Sequence, residues 1–119
     1  MIGNFICSKN LIEGLYPIIN NLIQNSVEAC DENGLILIGL RQLKASSVEL
    51  YVEDNGRGIK PEILKILGSK KVSFADNKST TGSGNGVAFF NAQKFLTQFN
   101  KKLLIKTIEN KGTKISLVL

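Results

Sequence analysis

Histidine is absent from this 119-residue chain, and cysteine occurs only twice, as Cys7 and Cys30. Without histidine there can be no Ser-His-Asp or Cys-His machinery. The two cysteines form no C-x-x-C pair, so a zinc site is not expected. They are expected to be reduced, packed thiols of a cytoplasmic protein. No run of 18 apolar residues occurs, which excludes a membrane-spanning helix. The N-terminus has no basic stretch followed by an apolar core, so no signal peptide is expected. Direct membrane contact is not expected either, although a longer parent protein could carry an anchor. The net charge is +5. The lysines are scattered apart from Lys70-Lys71 and Lys101-Lys102, and no aromatics interleave with them, so a nucleic-acid surface is not expected.

What is present suits a packed core. Hydrophobic residues make up 43% of the chain, and its length fits one domain over residues 1–119. Three-and-four spacing of Leu15, Ile18, Ile19, Leu22 and Ile23 predicts a helix over residues 8–31, capped by Ser8 and restarted or kinked near Gly14 and Pro17. Asn33-Gly34 marks a turn before an apolar strand, Leu35–Arg41. Residues 44–46 join it, hairpin-like, to Ser47–Asp54. There Val48, Leu50 and Val52 alternate with Glu49, Tyr51 and Glu53. Asp54 falls on the apolar side of that register, where a carboxylate is costly without a partner. Pro61–Leu67 reads as a short helix. The polar stretch Gly68–Thr81 reads as a mobile loop of the kind that is functional or disordered. A second long helix opens near Gly84, with Ala88, Ala92, Phe95, Leu96 and Phe99 on one face. Two closing strands, Leu103–Ile108 and Thr113–Leu119, flank the turn Asn110-Lys111-Gly112.

Three constellations carry chemistry. Asn21 and Asn25 lie one helical turn apart, on a face read as opposite the apolar stripe; amide oxygens there suit Mg²⁺. Taken alone, they are better explained as the solvated polar face of an amphipathic helix. Asp54-Asn55-Gly56-Arg57-Gly58 ends a strand. An Asp there can accept from the exocyclic amine of adenine and would repel the guanine carbonyl, although an ordinary Asx-Gly turn has the same composition. Gly82-Ser83-Gly84-Asn85-Gly86 precedes a helix, where bare backbone N–H groups hold phosphate; a flexible hinge is the alternative. The dinucleotide fingerprint is ruled out, since its third glycine would fall at Val87, and no G-x-x-x-x-G-K-[ST] occurs. In this order the three pieces make up a nucleotide site.

Residues 21–26 resemble the N box of the GHKL ATPase and kinase superfamily. Residues 52–59 resemble its first glycine box, Gly82–Gly86 its second, and Asn110-Lys111-Gly112-Thr113 its terminal glycine-threonine turn. By pattern the chain is most similar to the catalytic domains of sensor histidine kinases. The resemblance implies a Bergerat-type ATP-binding fold: an α/β (α+β) two-layer sandwich with helices on one face of a mixed, mostly antiparallel sheet. It implies ATP and Mg²⁺ as cofactors and Gly68–Thr81 as a lid. Asn25, with Asn21 assisting, would bind the metal and serve catalysis. Asp54 would read adenine, with Thr113 supporting it through water. Gly56, Gly58, Gly82, Gly84 and Gly86 would allow close backbone approach, and Lys70, Lys71 or Lys78 would face the γ-phosphate. Hydrolases of the superfamily carry Glu at the position of Asn21 as general base, and an amide cannot take that proton. The pattern therefore favours phosphoryl transfer to a histidine. With no histidine in the chain, the acceptor would stand on dimerisation helices elsewhere in the parent kinase, with a response regulator downstream. Glu28, Asn85, Val87 and the weak aromatic match at Phe74 depart from the pattern. A degenerate nucleotide-binding module and a GHKL hydrolase stay open as alternatives.

Overall fold

A computed structural model describes residues 7–44, 47–65 and 85–119. Helix α1 spans Lys9–Ala29, with Ser8 at its N-cap: the Ser8 hydroxyl accepts from the Leu11 N–H at 3.1 Å. Pro17 lies inside one unbroken helix. Strands β1 (Ile36–Lys44) and β2 (Ser47–Asp54) follow, then the single-turn helix α2 (Pro61–Leu64), helix α3 (Asn85–Gln98), and strands β3 (Lys102–Ile108) and β4 (Gly112–Val118). The four strands form one sheet in the order β1-β2-β4-β3. Every pairing among the described residues is antiparallel, so the mixed element expected from the resemblance is not found among them.

The register gathers the sheet's inner face into rows that cross all four strands. Leu40, Leu50, Leu117 and Leu103 form one; Ile38, Val52, Ile115 and Ile105 form the next; Ile36, Asp54, Thr113 and Thr107 form the last. Two apolar rows thus end in a polar one. On the helix layer, Leu11, Leu15, Ile18 and Leu22 of α1 and Phe89, Ala92 and Leu96 of α3 complete the core. This side-by-side layering of helices on one sheet face is the expected α+β two-layer sandwich. Phe95 of α3 lies against Gly14 of α1, which fixes the flank that α1 turns to its neighbour.

The outer face holds one departure from simple alternation. Glu49 points away from the helices yet is only 7% exposed. Ser116 donates to it at 2.6 Å, Arg41 at 2.8 Å, and the Lys114 ammonium stands 3.6 Å away. The Ser116 hydrogen bond, followed by the two cations, holds its carboxyl below the usual range against the opposing effect of burial. Lys114 also lies over the Tyr51 ring, 4.5 Å from its centroid.

Candidate nucleotide site

Asp54 ends β2 in the polar row, 8% exposed. Its two oxygens are divided between two neutral donors. The Ser26 hydroxyl of α1 donates to Oδ2 at 2.8 Å, and the Gly56 N–H donates to Oδ1 at 2.8 Å. Among the described residues no cation pairs with it. An ionised carboxylate offers about four acceptor sites, so two donors leave capacity for a ligand donor. A buried carboxylate with spare acceptor capacity fits the amine of a base edge.

The residues after Asp54 lock the strand end to its surroundings. The Asn55 side-chain oxygen accepts from the Leu35 N–H at 2.9 Å while its own N–H reaches the Leu35 carbonyl at 3.3 Å, extending the β1–β2 ladder by one step. The Arg57 N–H donates to the Ala29 carbonyl at 3.1 Å, and its guanidinium donates to the Glu28 carbonyl at 2.9 Å. α1 has no basic residue in its last turn, so Arg57 supplies from outside the cation that a helix C-terminus favours. The Arg57 carbonyl in turn accepts from the Asn110 N–H at 2.6 Å. One loop residue therefore ties α1 to the β3–β4 turn. Cys30 lies beside this joint, its sulfur 3.8 Å from Asn55 Oδ1. Burial, then the charge of Asp54, pushes its thiol up from the ordinary value.

Two glycines of the predicted site have an internal reason to be glycine. Gly58 has φ +73°, and a Cβ there would overlap the Ile108 carbonyl. A Cβ on Gly56 would lie 2.5 Å from the Ala29 carbonyl oxygen. Both requirements arise within the chain's own backbone, independently of any phosphate. Gly112, at φ +138°, brings the start of β4 against the Asp54 carbonyl, and so delivers Thr113 directly opposite Asp54.

Thr113 is buried, and its hydroxyl lies 2.8 Å from that of Thr107. Asn25 is half-buried and Asn21 exposed. The expectation that both stand opposite the apolar stripe needs correction. At 100° per residue, positions 14, 21 and 25 share one flank of α1. Gly14 shows that this flank faces α3, so the amides border the buried stripe. Gly86 falls in the first turn of α3. Gly82, Gly84, the expected lid Gly68–Thr81 with Phe74, and Lys70, Lys71 and Lys78 lie outside the described residues. Among the described residues no cluster of three acidic, cysteine or histidine side chains could hold a metal. Amide oxygens, with phosphates to supply the charge, are the donor set that could take Mg²⁺.

Sequence reasoning placed Ser26, Asn55 and Arg57 within its motifs but gave them no role of their own, and it missed Thr107. Ser26 had a readable signal, since it continues the buried stripe of Leu11, Leu15, Ile18 and Leu22 as a polar residue. Arg57 and Thr107 act through loop and register geometry, which the local pattern does not encode.

The fold and the polar row define an α+β sandwich with a buried carboxylate at one end of its sheet. The profile of the family described as "Histidine kinase-, DNA gyrase B-, and HSP90-like ATPase" matches residues 10–119. The chain belongs to this family, and ATP binding follows from membership. The sensor histidine kinase GlnK of Bacillus subtilis (strain 168) is 42% identical over 73 residues, covering 60% of this chain and 18% of that protein. The sensor protein LytS of Oceanobacillus iheyensis is 28% identical over 108 residues, covering 88% of this chain and 17% of that protein. The chain thus spans less than a fifth of either relative's length. Among solved structures, the mycobacterial sensor histidine kinase MprB superposes with a TM-score of 0.74 at 24% identity, covering 97% of this chain and 75% of that one. That likeness concerns the fold alone. The nucleotide-free catalytic domain of the histidine kinase ThkA gives 0.66 at 25% identity, covering 87% and 63%. Among the described residues no helix is long and apolar enough to cross a membrane.

Proposed function

We propose that this chain is the ATP-binding catalytic domain of a two-component sensor histidine kinase, one domain of a longer protein. Bound ATP supplies a transferable γ-phosphoryl group. The residues here bind and orient it, and catalysis is mostly positioning and electrostatics. Asp54 accepts from the adenine amine, Thr113 supports the same edge, and Asn25 with Asn21 offers amide oxygens to Mg²⁺. The observation that carries the reading is Asp54, a buried carboxylate held by two neutral donors beside the amide-bearing flank of α1. Asn21 then favours transfer over hydrolysis, because its amide cannot deprotonate water. The acceptor is a histidine on the dimerisation helices of the parent kinase, and a response regulator receives the group afterwards. The parent works on the cytoplasmic side.

Radiolabelled ATP incubated with this chain and a histidine-bearing kinase helix pair tests the proposal. Labelled phosphohistidine on the helices supports it. Nucleotide binding without transfer points to a binding module, and rapid release of free phosphate points to a hydrolase.

A further inference from the structure

The two edges of the sheet are built differently. β3 carries Lys102 and Lys106, charges of the kind that keep an edge strand from pairing with another chain. The run from Leu35 to Leu40 into β1 carries no charge. Leu35, Leu37, Ile38 and Leu40 are all exposed there, Leu40 by 68%. The Leu35 N–H and carbonyl both bond to Asn55, so alternate residues from Leu35 onward turn their backbone groups towards β2. Ile36, Ile38 and Leu40 therefore aim theirs at the free edge, where no strand pairs among the described residues. The side chains of the same three residues face the helix layer.

That layer stops short of this edge. α1 packs over β2 and α3 over β3, and the Gly14 flank of α1 faces α3. At 100° per residue the opposite flank carries Ile12, Tyr16, Ile19, Ile23 and Val27. Ile12, Tyr16 and Val27 are exposed, Tyr16 by 67%. This flank and the inner side of β1 form two walls of one apolar trough. Helices pack about 8–10 Å apart and strands about 4.8 Å apart, so a helix added beside α1 would overhang β1 with no strand beneath it. A lone extended peptide would pair with β1 and leave its own far edge bare. The occupant must bring a strand and a helix layer together, and a second copy of this chain brings both. Two-fold antiparallel pairing about Gly39 sets Ile38 opposite Leu40 of the second copy and pairs the free backbone groups of both strands. Arg41 stays on the outer face with Glu49, so no charge enters the trough.

We propose that β1 and the outer flank of α1 form a self-association surface, on which two copies of this chain pair β1 to antiparallel β1 and join their sheets into one. The inference is independent of the nucleotide reading, since the amide-bearing flank of α1 points the other way. Dimerisation helices in a parent kinase would hold two such edges at high effective concentration.

Sedimentation equilibrium of the whole chain over a concentration series, with amide hydrogen exchange at both ends of the series, tests this. The chain should self-associate. The Ile38 and Leu40 amides should slow as concentration rises, while those of Leu37 and Gly39, which already point to β2, should not change. Leu40→Lys should weaken association at least about 10-fold. Its urea midpoint should match the parent's, because Leu40 is exposed in the single copy. Leu104→Lys, at the β3 edge, should leave association unchanged. Should Leu40→Lys fail to fold, exchange in the unmodified chain decides alone. A chain that stays monomeric overturns the proposal, as does association that Leu40→Lys leaves intact or that leaves the Ile38 and Leu40 amides fast. Protection of those amides only when a further segment of the parent is attached would assign the edge to that segment and overturn it equally.

Discussion

Ser26 reaches across 28 positions of sequence to donate a 2.8 Å hydrogen bond to Asp54, joining the buried stripe of α1 to the end of β2. The bond holds α1, which carries Asn21 and Asn25, to the Asp54 carboxylate at the end of β2. Hydrogen bonds to charged groups are worth about 1.5–3 kcal/mol. Ser26→Ala should therefore lower unfolding free energy by about 1.5–3 kcal/mol in a urea titration and also weaken ATP binding. A variant as stable as the parent would show that the bond contributes nothing net.

Asp54→Asn changes the charge and half of the acceptor capacity without changing shape. ATP should bind roughly 10- to 150-fold more weakly, the range expected for one charge-assisted hydrogen bond. GTP should bind poorly to the unmodified chain, because its carbonyl would face the carboxylate. Equal affinities for ATP and GTP in calorimetry would remove the adenine assignment.

The sheet and helices were legible because each is written locally. Alternation in Ser47–Asp54 gave β2 with its boundaries intact, and the apolar spacing with Ser8 gave α1 to within two residues of its end. Asp54 was legible because it broke the rule of its own strand. Glu49 was not: its burial depends on Arg41, Lys114 and Ser116 closing over it from two neighbouring strands. Thr107 was invisible for the same reason, since it joins the site only through the register that aligns it with Thr113.

Asn25→Ala tests the metal role separately from the base. A ligand that binds only the folded state raises its melting temperature. ATP with Mg²⁺ should raise it more than ATP with EDTA in the unmodified chain, and Asn25→Ala should lose most of that difference. The same magnesium-dependent increment in the variant would exclude Asn25 as a ligand.

Arg57 anchors the C-terminus of α1 through the Glu28 carbonyl and carries the Asn110 contact on its own carbonyl. A cation at a partly buried helix C-terminus is worth up to about 2 kcal/mol. Arg57→Ala should therefore lower stability by about 1–2 kcal/mol, visible as a lower urea midpoint. Arg57→Lys should recover only part of it, since a lysine lacks the planar fork. Full recovery by lysine would mean that charge alone suffices.

Glu49 makes stability depend on pH in a definite direction. Its folded-state carboxyl is held below the ordinary value of 4.5, chiefly by the Ser116 hydroxyl. The unfolded chain therefore binds the proton more readily, and stability rises with pH across that window. The contribution is fully present above about pH 4.5 and is lost as pH falls towards the lower folded value. Glu49→Gln should cost on the order of 1 kcal/mol at pH 7, and the two unfolding curves should converge in acid. A difference independent of pH would assign the loss to packing.

Asn21 bears on the reaction itself. General-base catalysis is worth roughly 10²–10⁴ in rate, and a neutral amide cannot provide it. Positioning alone still accelerates attack by stray water, so a slow background release of phosphate is expected from the purified chain with Mg-ATP. That release should stay well below about 1 s⁻¹, the lower end of ordinary enzyme turnover. Asn21→Glu places a carboxylate where water could be activated, but it also brings a charge to the flank that carries Asn25, so its effect combines base and metal terms. The unmodified chain gives the cleaner reading. Turnover at or above about 1 s⁻¹ without any phosphoacceptor would require a base other than Asn21, and the transfer reading would give way to hydrolysis.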